Sequence, residues 1–206
     1  MSPELDEGSD NIVGNVYDKY GTKNPVARML MRGFLGGVRE LYELAAPRTV
    51  LEVGCGEGRL ALHLWNHAPR PDRFVACDLD LGRLVSDLDP KIEVREASIY
   101  SLPFANGSFD LVICCEVLEH LDDPRAGLAE LARVASRRVL VSTPWDPVWR
   151  ALNVLRGRYL ARFGNTPGHV QHFTRRGLEQ LARTQLRLLE RRTPLPWTIL
   201  LGEPLH

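Results

Sequence analysis

From Asn24 to Ala46 the apolar residues Val26, Leu30, Phe34, Val38, Leu41 and Leu44 recur at three- and four-residue intervals, the spacing of one helix face. Gly33, Gly36 and Gly37 interrupt the middle, so one or two helices are expected. Short apolar runs then alternate with amphipathic stretches. TVLEV, RFVACD, KIEVRE, FDLVICC and RRVLVS read as strands, with helices from Gly58 to about His67, near Leu81 to Leu88, and across Glu116 to Val134. After Pro144 the pattern predicts a helix around Val148 to Arg162, the turn-rich GNTPGHVQ, a helix from Thr174 to about Gln185, and closing strands at LRLLERR and WTILL. Pro194 and Pro196 mark the last connection as an edge element. Such alternation predicts an α/β fold with a parallel sheet covered on both faces by helices.

At 206 residues the chain suits one domain, and folding should bury roughly 70% of the surface an unfolded chain exposes. No repeat, low-complexity tract or long Pro/Gly-rich linker divides it. The expected plan is a disordered tail at 1–14 and a single domain at 15–206, made of an N-terminal helical lid at 15–48, a core at 49–142 and acceptor-side helices and closing strands at 143–206. Apolar runs fall far short of the roughly 20 residues needed to span a bilayer, and the N-terminus is acidic and polar, so a cytoplasmic protein is expected. The four cysteines lack the paired spacing of a zinc site and are expected to be reduced thiols. Net charge is zero but unevenly spread: residues 1–146 hold 16 basic and 23 acidic residues, and 147–206 hold 10 and 3. The basic tail either solvates a face complementing the acidic body or meets an anionic acceptor or a membrane or nucleic-acid surface.

The stretch VLEVGCGEGRL, residues 50–60, carries the first chemistry. In a parallel sheet ligands settle beyond the carboxyl ends of the strands, and Gly54 and Gly56 fall in the first strand-to-helix turn. Without a Cβ, each lets backbone approach a ligand closely, and Gly58 opens the helix without crowding. Asp78 ends the second strand about 20 residues on, where an acid accepts both hydroxyls of a ribose. Dinucleotide enzymes share that pairing, but the spacing here is G-x-G-x-G and Glu52 precedes it. A carboxylate sits poorly beside a pyrophosphate and well beside an ammonium or sulfonium, which favours an aminoacyl nucleoside.

Together with VACDLD, the segment SLPFANGSFDLVICCEVLEHLDDP makes residues Thr49 to Ser142 closely resemble the class I S-adenosylmethionine-dependent methyltransferases, of the small-molecule kind that includes quinone-biosynthesis and sugar O-methyltransferases. A generic version of GHVQHFTRRGLEQLA also recurs in that superfamily. The resemblance implies a Rossmann-like, seven-stranded, mostly parallel sheet with a reversed last strand, and S-adenosyl-L-methionine as cofactor. It also implies that Gly54, Cys55 and Gly56 face the methionyl part, that Glu52 supports its ammonium, that Asp78 holds the ribose and that Leu79 packs on the adenine. Where the common pattern has an aspartate on the adenine amino group, this chain has Ser98, followed by Ile99; a serine oxygen accepts the same bond without charge. Cys115, ending the fourth strand, is expected near the reacting methyl.

Transfer to an alcohol or phenol needs its proton removed, and His120 is the candidate base, with an unperturbed pKa of about 6.5. Glu116 is expected one helical turn earlier on the same face. The competing reading is a helix whose glutamates favour its positive end and whose histidine packs. Glu116, Glu119 and His120 also match the E-x-x-E-H metal pattern of small-RNA 2'-O-methyltransferases, with His169 or His172 as the distant ligand. EVLEH occurs widely without metal, and no basic, aromatic-rich surface marks an RNA binder, so neither a metal nor a nucleic-acid partner is expected.

His169 and His172 are candidates for the acceptor pocket, His172 competing with a helix-entry role before Thr174 as N-cap. The resemblance implies that Tyr20, with Tyr17, falls where a flexible N-terminal segment closes over cofactor and acceptor. Arg150, Arg156, Arg158 and Arg162 beside Trp149 and Tyr159 fit a solvated helix face, a guard over an apolar or anionic acceptor, or peripheral membrane contact. The reading is an enzyme that O-methylates a small molecule of apolar or anionic character. A non-catalytic module sensing S-adenosylmethionine and an NAD-dependent oxidoreductase are the other classes; the glycine spacing disfavours the oxidoreductase, the titratable EVLEH the sensor.

Overall fold

The computed structural model describes residues 24–149 and 170–205. The expected tail, Tyr17, Tyr20, His169 and the arginine-rich segment from Arg150 lie outside them. Helix α1 spans Pro25–Ala45 without a break. Asn24 starts it, its side-chain oxygen accepting from the backbone N–H groups of Val26 and Ala27. Pro25 sits in the first turn, where a missing N–H costs nothing. Its glycines do not split it, because the face carrying Met31, Phe34, Val38, Leu41 and Tyr42 is buried and holds the helix by packing.

Seven strands form one sheet: β1 Thr49–Val53, β2 Arg73–Asp78, β3 Ile92–Glu96, β4 Phe109–Cys115, β5 Ala135–Pro144, β6 Leu186–Arg192 and β7 Trp197–Pro204. Their order is β3-β2-β1-β4-β5-β7-β6. Strands β1 to β5 pair in parallel, and β7 runs antiparallel to both β5 and β6. The expected reversed last strand is thus in place, and β6, beside the Pro194 and Pro196 connection, forms the edge. Alternate positions feed two cores. Val50, Leu111, Ile113 and Leu140 meet α1 and helix α2, Arg59–His67, on one face. Leu51, Val53, Val112, Val139 and Val141 meet α3, Pro124–Val134, and α4, Arg175–Ala182, on the other. Each fully buried leucine among them, such as Leu64 or Leu131, is worth about 1.5–3 kcal/mol.

Two expected helices are corrected. The stretch near Leu81 to Leu88 holds only a 3-10 turn, Leu81–Arg83, with Asp80 accepting from the Gly82 N–H. The path from Glu116 to Val134 is a 3-10 turn at Leu118–His120 followed by α3, whose start is fixed by Pro124 and by Asp123 accepting from Arg125 and Ala126. A proline disfavours the α conformation in the residue before it, so one helix cannot run through. The order of strands reverses between β1 and β4, which opens a crevice at their carboxyl ends.

Candidate active site

At the end of β1 the chain turns on glycines with positive φ: Gly54 at 76°, Gly56 at 53° and Gly58 at 74°. They serve different ends. A Cβ on Gly54 would lie 2.2 Å from Cγ2 of Val117, so this glycine lets the turn nest against the chain leaving β4. A Cβ on Gly56 would meet nothing within 4 Å, leaving bare backbone open toward the crevice. The turn is bolted to β2: the N–H groups of Gly54 and Cys55 donate to the Cys77 carbonyl at 2.8 and 3.0 Å. Gly56 N–H donates to Asp78 Oδ2 at 2.7 Å, and Asp80 N–H to Oδ1 at 3.3 Å. The sequence-predicted glycines and Asp78 are therefore brought together.

Glu52 lies under this turn, 3% exposed, with Oε2 buried and without a hydrogen-bond partner. Burial, then the charge of Asp78, pushes its carboxyl up to about 8, with the Ala61 backbone opposing. At neutral pH it holds its proton, and a cation brought to the turn would favour its release. The residues present therefore fit a ligand with a ribose-like diol at Asp78 and a positive charge near Glu52. Burial also raises the thiols of Cys55, Cys77, Cys114 and Cys115, keeping all four protonated at neutral pH. All four are free, as expected.

Leu79 projects beyond Asp78, 56% exposed. Ile99 is buried, beside the place where a Cβ on Gly127 would stand, and Ser98 Oγ accepts from the Tyr100 N–H at 3.3 Å. Tyr100, not anticipated, accepts from the Asp123 N–H at 3.2 Å and ties this loop to the start of α3.

At the end of β4, Cys115 is half-buried and pairs with Ser142 of β5. Glu116 follows with φ 61°, a left-handed backbone that a side chain adopts only under constraint. Its carboxylate accepts from Trp197 Nε1 at 2.8 Å and from Ser142 Oγ at 3.3 Å. The expected partnership of Glu116 and His120 on one helical face is corrected, since Glu116 precedes the 3-10 turn and faces β5 and β7. Trp197 in turn packs on Phe34 and Trp149, with ring centroids 4.9 and 5.8 Å apart. His120 is exposed at the end of that turn, while Glu119 is buried. Among the described residues no three His, Cys, Asp or Glu side chains gather as a metal site.

The segment entering α4 returns to the same edge. Val170 and Gln171 donate their N–H groups to the Glu119 carbonyl, both at 2.9 Å, and the Gln171 amide reaches the Leu121 carbonyl at 3.4 Å. Thr174 is the N-cap foreseen, accepting from Gly177. His172 does more than enter the helix: its Nδ1 lies 3.3 Å from Oδ1 of Asp146. Asp146 was missed. The signal for it is positional, because STPWD closes β5 and residues just past a parallel strand border the crevice.

The family described as a methyltransferase domain matches residues 51–141. The malonyl-[acyl-carrier protein] O-methyltransferase of Hahella chejuensis is 35% identical over 130 residues, 57% of this chain and 46% of that protein. A demethylmenaquinone methyltransferase of Corynebacterium efficiens is 31% identical over 151 residues, 72% of this chain and 64% of that protein. The chain spans less than half the length of the first curated relatives it matches. Among solved structures, magnesium protoporphyrin IX methyltransferase from Synechocystis superposes with a TM-score of 0.62 at 19% identity, over 88% of each chain. That likeness establishes the fold.

Proposed function

We propose that the chain is a class I S-adenosylmethionine-dependent methyltransferase, a reading supported by the methyltransferase-domain match over residues 51–141, and that it methylates an oxygen of a small molecule with apolar or anionic character. The observation that carries the reading is Glu52: a buried carboxyl with an unpartnered oxygen, directly beneath an open glycine turn whose other wall is Asp78. Such a carboxyl suits a ligand that brings its own positive charge, because an approaching cation favours its ionised form.

S-adenosylmethionine supplies an activated methyl on a sulfonium. In this reading the Gly56 backbone and Glu52 receive the methionyl end, and Asp78 receives the ribose diol. Leu79, Ser98 and Ile99 border the adenine. Cys115 flanks the methyl as an uncharged wall, and Glu116, clamped by Trp197 and Ser142, orients the acceptor. His120 is proposed to take a proton from the hydroxyl, a role for which its exposure at the edge leaves room. Holding both reactants in line would supply much of the acceleration. The names of the relatives, a malonyl-[acyl-carrier protein] O-methyltransferase and a demethylmenaquinone methyltransferase, support methyl transfer, in the first of them to oxygen.

The test is a transfer assay with methyl-labelled S-adenosylmethionine against 1,4-naphthoquinol, catechol and long-chain carboxylic acids. His120→Ala should lower turnover on the compound methylated by about 10²-fold or more, with S-adenosylhomocysteine binding unchanged. Unchanged turnover removes His120 from the mechanism.

A further inference from the structure

Resting on the methyl-transfer reading, we propose that Asp146 and His172 form a second proton-handling pair at the acceptor edge, with His172 Nε2 receiving the acceptor's proton from His120 and Asp146 positioning the ring. Three observations place the pair there. Asp146 follows β5 by two residues, past the same sheet edge at which β4 delivers Cys115 and Glu116. The backbone on either side of His172 is fastened: Gln171 brackets His120 through the Glu119 and Leu121 carbonyls, and the Phe173 carbonyl accepts from Asp146 N–H at 3.0 Å. The two side chains differ in exposure, 42% for His172 and 11% for Asp146, so a sheltered carboxylate holds an accessible imidazole.

The contact lies on Nδ1, at 3.3 Å. A carboxylate at that separation favours the tautomer with its proton on Nδ1, which keeps the lone pair on Nε2, the form a base needs. Other ionisable groups on the elements that meet here are Glu116, Glu119 and His120 after β4 and Arg175 and Arg176 at the start of α4. The Arg175 guanidinium stacks over Trp145, the residue before Asp146, at 4.0 Å. In the step assigned to the pair, the acceptor oxygen forms its bond to the methyl carbon. The sulfur–methyl bond breaks with its electrons left on sulfur as a thioether, and the hydroxyl proton, taken first by His120, is handed on to His172 Nε2.

The deciding experiment is nitrogen-15 imidazole NMR of the full chain with S-adenosylhomocysteine added, on the parent, Asp146→Ala and His172→Gln. His172→Gln identifies the resonance. The parent should show His172 as the Nδ1–H tautomer, and Asp146→Ala should return it to the Nε2–H form that a free imidazole favours. An Nε2–H ring in the parent, or a tautomer indifferent to Asp146, overturns the pair. On the probe methylated in the assay above, His172→Gln should lower turnover by about 10²-fold and flatten the acidic limb of its pH profile while adenosyl-ligand affinity stays constant. Parental turnover and profile overturn the proton-accepting role. Absence of S-adenosylhomocysteine binding would instead count against the methyltransferase reading, because the tautomer can also be read without ligand.

Discussion

Glu52 is the residue whose environment departs furthest from what its type expects, and its consequence is measurable. Its folded pKa, about 8, lies above the ordinary 4.5, so the folded chain keeps a proton that the unfolded chain has lost. The contribution of this carboxyl to stability is therefore fully present below pH 4.5 and is lost as pH rises toward 8. Glu52→Gln, which cannot ionise, should leave stability near the parent's at pH 4.5. At pH 8.5 it should gain on the order of a few kcal/mol, read by urea unfolding at both pH values. Parallel curves would show that the carboxyl is not held neutral. The variant should also weaken S-adenosylmethionine and S-adenosylhomocysteine alike, since both carry the methionyl ammonium that Glu52 is proposed to receive. At this scale the sequence was informative where backbone geometry dictates residue type, as at Gly56 and Asp78. It could not reveal Asp146 facing His172, because that pairing joins residues from elements with no local signal in common.

Between β4 and α3 the chain behaves as a built turn, and this is where periodicity misled. Val117, Leu118 and Leu121 have helix-like spacing, yet all three pack inward because Glu116 reverses the backbone at φ 61° and a 3-10 turn follows. Apolar spacing reports burial, and a tight turn pinned on both sides buries its residues as a helix would. The same confusion produced the helix expected near Leu81 to Leu88, where Leu84 and Leu88 instead cover Gly58. Two substitutions test this geometry. Gly54→Ala would place a methyl 2.2 Å from Val117 in a left-handed backbone, so a loss of about 2–4 kcal/mol is expected in chemical denaturation. Stability within 0.5 kcal/mol of the parent, roughly the noise of a surface change, would contradict the close approach. At Glu116, alanine and glycine both lose the Trp197 bond but only alanine keeps the backbone strain. Glu116→Gly should therefore be more stable than Glu116→Ala by about 1 kcal/mol.

For the whole molecule, alternation of strand and helix signals was enough to anticipate a doubly covered parallel sheet, since only that architecture buries both faces of such strands. The reversal of the last strand came from the resemblance and the strand order was not anticipated, because pairing partners are set by tertiary contact and leave little trace in a single chain. No helix among the described residues is long and apolar enough to cross a membrane. Tyr20 and His169, expected at the acceptor pocket, lie outside the described residues. The central claim, that the crevice between β1 and β4 takes an adenosyl sulfonium, does not depend on either residue. Its most direct test is calorimetric titration of the full chain with S-adenosylmethionine, S-adenosylhomocysteine and NAD in separate runs. Micromolar binding of both adenosyl ligands with NAD silent is the predicted result. Binding of NAD with neither adenosyl ligand would contradict it.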